Sequence, residues 1–431
     1  MCLVLLIFCM RSVSVMSGDI AYFNSLHSKT DRINATVITA PININDSGYG
    51  CCTIRVNWSS QGHLKKGDKL YYYADGIINS EIGDLLESDV SYSAFDKEYA
   101  ASHYSEGVYL SATCDGKMFS VGKDTGIYGL AGNIRRFIKT RIMSCSDNYH
   151  ILLSIITGER CYISDELYGR VIDAGVSHVL VVSGMHLVLL CGGLERILKL
   201  IFRREVLSDL FLLLFVLLMS AVCGFGMSIL RAAIVYFLRV LYRRIGRRTN
   251  GVHLLSMAAT AVLLIHPYAF HSVSFQLSYS ATFGILVLSR PINKRLNKYY
   301  KGGAIYNYIS KAMSISLSAY IATLPVCIAA FGEISLVAIP VNIILDVPAS
   351  AMLAICIMGI AFGFVPFIER LFISLADALG DYFLKIVNFV SGLPFCKLEL
   401  RNAETLAVVV LLFYFALYIA KTKSYRIFMK R

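Results

Sequence analysis

The sequence predicts a polytopic α-helical membrane protein of about nine core spans, with a small β domain ahead of its helices. Three observations carry that prediction. Hydrophobic residues make up 56% of the chain and charged ones only 16%, and mean hydropathy is +0.61, outside the range of ordinary soluble domains. Apolar runs long enough to cross a bilayer, or nearly so, recur from residue 178 onward. Lys and Arg collect in clusters after alternate runs.

Residues 1–16 are apolar apart from Arg11 and some serines, and no Ala-x-Ala cleavage pattern follows. They predict a short membrane anchor. Residues 17–135 differ in composition. Apolar and polar residues alternate at Ile33–Ile38, Cys52–Val56, Lys69–Tyr73, Val108–Ala112 and Met118–Val121, with turn residues at Asn45–Gly48, Lys66–Asp68 and Asp115–Gly116. Five short strands predict a small barrel or a sandwich, and periodicity does not choose between them. Residues 77–105, polar and acidic, read as an inserted loop with some helix. An amphipathic connecting segment is expected over 136–175, a membrane domain over 176–421, and a basic tail over 422–431.

The apolar runs lie at 178–202, 206–224, 227–242, 251–267, 272–289, 308–331, 336–362, 366–390 and 404–420. A span takes ~20 residues, so 227–242 is short, and 336–362 reads as a tilted, broken or re-entrant segment. Pro325, Pro340 and Pro348 predict kinks or breaks. The basic clusters are Arg196–Arg204, Arg239–Arg248, Arg290–Lys301 and Lys421–Arg431, and none contains an Asp or Glu. Cytoplasmic loops collect Lys and Arg. The expected topology is therefore a multi-pass protein of the cytoplasmic (inner) cell membrane, with the β domain outside and the C-terminus inside.

Polar residues inside the apolar runs mark the candidate site. His178, Ser183, Gly184 and His186 interrupt the run 176–190, and polar groups in hydrocarbon cost several kcal/mol unless partnered or wet. They read either as the lining of a polar pathway or as helix–helix glue. No carboxylate or Cys near the two histidines completes a ligand set, so neither a metal site nor a cofactor is expected. Gln276 and Ser278 fit the same role, as does Asn342 with Asp346 at i,i+4. Arg231 is the most unusual charge, near the outer end of its run. There is no G-x-x-x-x-G-K-[ST] phosphate loop. The twelve cysteines form no C-x-x-C pair; Cys51 or Cys52 with Cys114 would join two predicted strands in an oxidising exterior.

One stretch, Gly175-Val176-Ser177-His178-Val179-Leu180-Val181-Val182-Ser183-Gly184-Met185-His186, resembles the signature of the ComEC-type competence proteins. Three further blocks are similar to that family, in the same order. They are Ser228-Ile229-Leu230-Arg231-Ala232; Ser274-Phe275-Gln276-Leu277-Ser278 with Ala281-Thr282 and Gly284; and Thr323-Leu324-Pro325 leading to Phe331-Gly332 and Asn342. The resemblance implies a channel that passes single-stranded DNA inward during natural transformation, with an OB-like β domain. It places Arg231 against phosphate oxygens rather than snorkelling to the interface.

An OB-like domain invites base stacking on Trp58, Tyr71 and Tyr73, with Lys65, Lys66 and Lys69 as a local basic patch. Against this, residues 17–130 hold fourteen acidic and nine basic side chains, and tyrosines filling the β core are the simpler expectation. Many family members continue into a metallo-β-lactamase-like domain, but this chain contains no H-x-H. It is therefore not expected to be an enzyme. A separate DNA receptor, a cytoplasmic ATPase or helicase and a separate nuclease are the expected partners, and a homo-oligomer is left open. The alternative function is a secondary transporter of a small polar or anionic solute.

Overall fold

The computed structural model describes residues 17–44, 49–159, 161–180, 184–202, 205–247, 250–298, 303–393 and 396–399. The predicted anchor at 1–16, the Asn45–Gly48 turn, Ser183, the run at 404–420 and the basic tail lie outside the described residues. The chain forms two compact units. The first holds the chain up to Tyr168 with His178–Phe275 and Val347–Leu384; the second holds Gly169–Ser177, Gln276–Asp346 and the chain from Lys385.

In the first unit a helix over 17–24 (α1) precedes Thr30–Val37 (β1), Ile42–Asn43 (β2), Tyr49–Ser59 (β3) and Lys69–Asp75 (β4). Asp84–Ser93 (β5), Lys97–Ser105 (α2), Leu110–Cys114 (β6) and Phe119–Lys123 (β7) follow. Pairing runs β1–β3–β4–β6–β5 and returns to β1. Five strands therefore close a ring, with β4 and β6 parallel and the other pairs antiparallel. Closure makes this a barrel rather than a sandwich and removes the exposed edges of its staves. The register of β1 on β3 shifts between Asn34 and Ala35, and such a bulge increases the local twist.

The barrel core follows from period-two alternation. Leu70, Tyr72 and Ala74 of β4 are buried, while Lys69, Tyr71 and Tyr73 take the other face. Leu70, Val90 and Leu110 join Tyr72 in one apolar cluster, each contributing about 1.5–3 kcal/mol by burial. The Tyr72 hydroxyl donates to Ser88 Oγ at 2.8 Å, which removes the cost of an unpartnered buried OH.

Residues 77–105 are not an inserted loop. They carry β5, which pairs with β1, β6 and β7. Leu86, Ser88, Val90 and Tyr92 point inward, but a serine occupies one inward place and acids stand between them, so the alternation is masked in the sequence. The run 118–121 does form a strand, β7, yet it lies against β5 outside the ring. Cys51, Cys52 and Cys114 are free thiols; Cys52 is in the core, and Cys51 Sγ lies 3.1 Å from the Tyr71 hydroxyl.

Asp31 fastens β1 to the chain beyond β3. It accepts from Ser59 Oγ at 2.5 Å, Ser60 Oγ at 2.8 Å, the Gln61 N–H at 3.0 Å and the Tyr92 hydroxyl at 3.2 Å. Burial pushes its carboxyl up, but those hydrogen bonds outweigh burial and hold it below its ordinary 3.8. A depressed folded value gives stability that is present above 3.8 and lost as pH falls through the folded value. Asp31→Asn is therefore expected to lower stability by roughly 1–3 kcal/mol at pH 7. Thermal melts of the detergent-solubilised chain check this: the gap between wild type and variant should narrow below pH 3.8, and a gap independent of pH would refute the charged role.

The helices are Ile127–Met143 (α3), Tyr149–Thr157 (α4), Asp165–Asp173 (α5), Ser177–Leu180 (α6), Gly184–Ile201 (α7), Glu205–Val222 (α8) and Met227–Arg244 (α9). Gly251–Ile265 (α10), Val273–Leu296 (α11), Ala304–Phe331 (α12), Ala338–Ala361 (α13) and Pro366–Ser391 (α14) complete them. Among the described residues, α8, α12 and α13 are long and apolar enough to cross a membrane, and α10 is a shorter apolar helix. Neither α12 nor α13 breaks at its proline: each runs through Pro325 or Pro348 as one helix. Thr323 Oγ1 donates back to the Ala319 carbonyl at 3.0 Å one turn below it.

In the first unit, α3 joins the barrel to the helices. Arg136 pairs with Asp84 and Lys139 with Glu81, both at 2.9 Å. Gly132 lets the α3 backbone close onto the Ile82 carbonyl, where a Cβ would have no room. Arg135 pairs with Glu159 and donates to the Val222 carbonyl at 2.6 Å, which fixes α3 against the C-terminal end of α8. In the second unit, Glu333–Ser335 (β8) pairs with Lys397–Glu399 (β9), and Lys397 Nζ lies 3.3 Å from Asp173.

Candidate functional site

Helices α7, α8 and α9 pack on one another around Leu187, Cys191, Leu212, Val216 and Ile229. Their ends are set by charge. Glu195 of α7 takes Lys199 at 2.9 Å and Arg243 at 3.1 Å, and Asp209 of α8 takes Arg243 and Arg244. The C-terminal part of α7, the N-terminal part of α8 and the C-terminal end of α9 therefore share one end of this three-helix group. The opposite end carries the start of α7, the close of α8 and the start of α9. It faces the barrel: Tyr128 meets the Phe225 ring edge-on at 6.1 Å, and Ile82, Ala131 and Ala221 form one apolar cluster.

His186 and Arg231 sit at this barrel-side end. His186, in the first turn of α7, is 2% exposed, and Arg231, in the second turn of α9, is 7% exposed. A snorkelling arginine would present its guanidinium at the surface; this one is enclosed within the helices. His178 is exposed on α6, and Gly184 opens α7. The described parts of the predicted run 178–202 are helical, α6 up to Leu180 and α7 from Gly184 to Ile201. Gln276 and Ser278 on α11, and Asn342 and Asp346 on α13, are all partly buried within the second unit.

The charged partners were missed in the sequence. Arg243 and Arg244 belong to a cluster without an internal acid, yet Asp209, 4% exposed, engages both. The signal was available: a lone Asp four residues into an apolar helix is costly unless paired. Arg135 and Glu159 gave no comparable signal, since both fall in an ordinary mixed polar stretch.

On the barrel, Trp58 is 44% exposed, and Lys65 and Lys66 are exposed beside it in sequence. Lys69 is half-buried, with Nζ 3.4 Å from the Glu106 carbonyl; burial pulls its pKa down. Tyr71 and Tyr73 lie outside the core and meet edge-on at 5.3 Å. Tyr49 stacks on Tyr73 at 6.3 Å, and His103 from α2 lies over Tyr71 at 4.9 Å. Only the middle tyrosine of the triplet, Tyr72, fills the core. Among the described residues no group of His, Cys, Asp and Glu is arranged to hold a metal ion.

Comparison with known proteins points in one direction. The model of the family described as competence protein matches residues 155–424. ComE operon protein 3 of Bacillus subtilis (strain 168) is 26% identical over 253 residues, 57% of this chain and 30% of that protein. An uncharacterised protein of Aquifex aeolicus is 28% identical over 300 residues, covering 68% of this chain and 67% of its own length. The MG316 homolog of Mycoplasma pneumoniae is 30% identical over 125 residues, 29% of this chain and 32% of its own. The chain thus spans under a third of the first of these relatives. No solved structure matches.

Proposed function

Because the chain belongs to the competence protein family, we propose that it is the membrane channel that passes single-stranded DNA inward during natural transformation. The observation that carries this reading is Arg231, a cation enclosed at the barrel-side end of an apolar helical group in a block that resembles the family. A guanidinium at that end can take phosphate oxygens in a planar two-point geometry. In this reading α7 to α14 and the run at 404–420 supply nine crossings. The barrel, whose ring order and single parallel pair fit an OB-like fold, stands outside the inner membrane. The basic connectors and the C-terminus face the cytoplasm.

The chain is given no catalytic step. A separate receptor would deliver DNA, a separate nuclease would remove the second strand, and a cytoplasmic ATPase or helicase would impose direction. Removing the chain from a competent host should abolish transformation while surface binding of duplex DNA persists, because residues 17–130 carry more acidic than basic side chains. Unchanged transformation would sink the channel and favour transport of a small solute.

Orientation is checked separately. On a cysteine-free background, a cysteine replacing exposed Lys66 should react in intact cells with a membrane-impermeant thiol reagent, and one replacing exposed Arg247 should not. Outside labelling at position 247 would overturn the topology.

A further inference from the structure

The aromatic rings on the barrel do not stop at its wall. Beyond Tyr71 and His103, Phe95 stacks on His103 with centroids 4.2 Å apart. Phe95 meets Tyr104 at 6.3 Å, Tyr104 meets Tyr268 at 6.1 Å, and Tyr268 meets His271 at 6.1 Å. Tyr268 and His271 belong to the connector between α10 and α11, so one run of rings leads from the outer face of β4, over α2, to the helical part of the same unit. It ends at an open cavity of about 770 Å³ lined by Asn24, His27, Phe95, Asp96, Tyr104 and Tyr268 among others. The backbone is shaped for this approach: Gly107 closes onto His266 beside the connector, where a Cβ would have no room.

Chemistry selects the ligand. Among the described residues, Asp96 lines the cavity and no Lys or Arg does, so the described wall favours a neutral group over a phosphate. Planar aromatic walls with amide, imidazole and carboxylate groups suit a neutral, flat heterocycle carrying donors and acceptors. Base–aromatic stacking is sequence-tolerant because every base has a π-face.

We propose that this cavity is a stacking site for unpaired nucleobases, reached along the aromatic run from the barrel, so that a strand is held by its bases before its phosphates meet Arg231. The assignment rests on the channel reading and adds to it the chemistry by which an acidic outer domain holds an anionic strand. Base stacking compensates for the phosphate neutralisation that the barrel lacks, and binding through it depends weakly on salt.

The test uses the purified full chain in nanodiscs and two fluorescent oligomers of equal length and charge, one of thymidylates and one abasic. Fluorescence anisotropy should show the thymidylate oligomer binding at least roughly tenfold more tightly. Its affinity should fall less than about threefold between 50 and 200 mM salt, against the steep loss of a phosphate-driven complex. Tyr104→Ala and Tyr268→Ala should each weaken it by roughly tenfold, and Tyr104→Phe should restore it. Equal affinity for the two oligomers, a steep salt dependence, or wild-type binding by both alanine variants would overturn the stacking site. None of those results bears on the channel, whose separate test is transformation after deletion: loss there with no base preference here discards the cavity and keeps the channel.

Discussion

Arg231→Gln is expected to lower DNA uptake per membrane-inserted molecule by at least about 100-fold, the scale of losing one partner of a buried charged hydrogen-bonded pair. The side chain is enclosed at the barrel-side end of α9, the end that the strand's phosphates pass in the proposed channel. Arg231→Lys should keep part of the activity, since charge survives while the planar two-point geometry is lost. Abundance separates this from a packing defect. A destabilised helical group is cleared by proteases, whereas a glutamine of similar shape removes a buried charge and leaves insertion intact. The measurement is uptake of labelled DNA divided by inserted protein. Wild-type uptake per molecule in the glutamine variant would remove Arg231 from the pathway.

Arg135→Ala should have the opposite signature, a large loss of stability with no specific effect on passage. Its guanidinium is the buried partner of Glu159 and a donor to the Val222 carbonyl at 2.6 Å. Deleting it leaves a carboxylate uncompensated in a nearly closed site, which costs roughly 3–5 kcal/mol. Inserted protein should fall severalfold, and thermal unfolding in detergent should shift down by many degrees. The double variant Arg135→Met with Glu159→Leu should recover most of the loss, because replacing a buried pair by apolar groups of similar volume is often neutral. If the double variant is no more stable than Arg135→Ala, the unpaired Glu159 carboxylate is not the source of the loss.

Much of the helical part was legible before folding. The apolar runs that read as spans up to residue 390 are each occupied by helix, because burial over 15 or more residues leaves a run of apolar side chains in the sequence. Within the barrel, β4 was legible for a related reason: Leu70, Tyr72 and Ala74 alternate with polar-tipped neighbours. β5 was not. Ser88 occupies an inward position and bonds Tyr72, so a core place is filled by a residue type that reads as loop. At the prolines the sequence left a kink or a break open, and the helix continues through Pro325 and Pro348.

The site shows the same division. His186 and Arg231 were conspicuous because polar residues stand out in an apolar run, and the ordered blocks that resemble competence proteins were read from residue identity alone. That is what the sequence by itself determined: membrane class, family, and which polar residues are out of place. The tertiary structure alone decided that five strands close into a ring and that Asp209 engages Arg243 and Arg244. It also enclosed Arg231, and it joined the rings from Tyr49 to His271 into one run. The reason is separation along the chain. Periodicity records the environment of each residue, but Asp209 and Arg243, or Tyr104 and Tyr268, meet only after distant segments pack, and no local pattern encodes which distant partner a side chain will find.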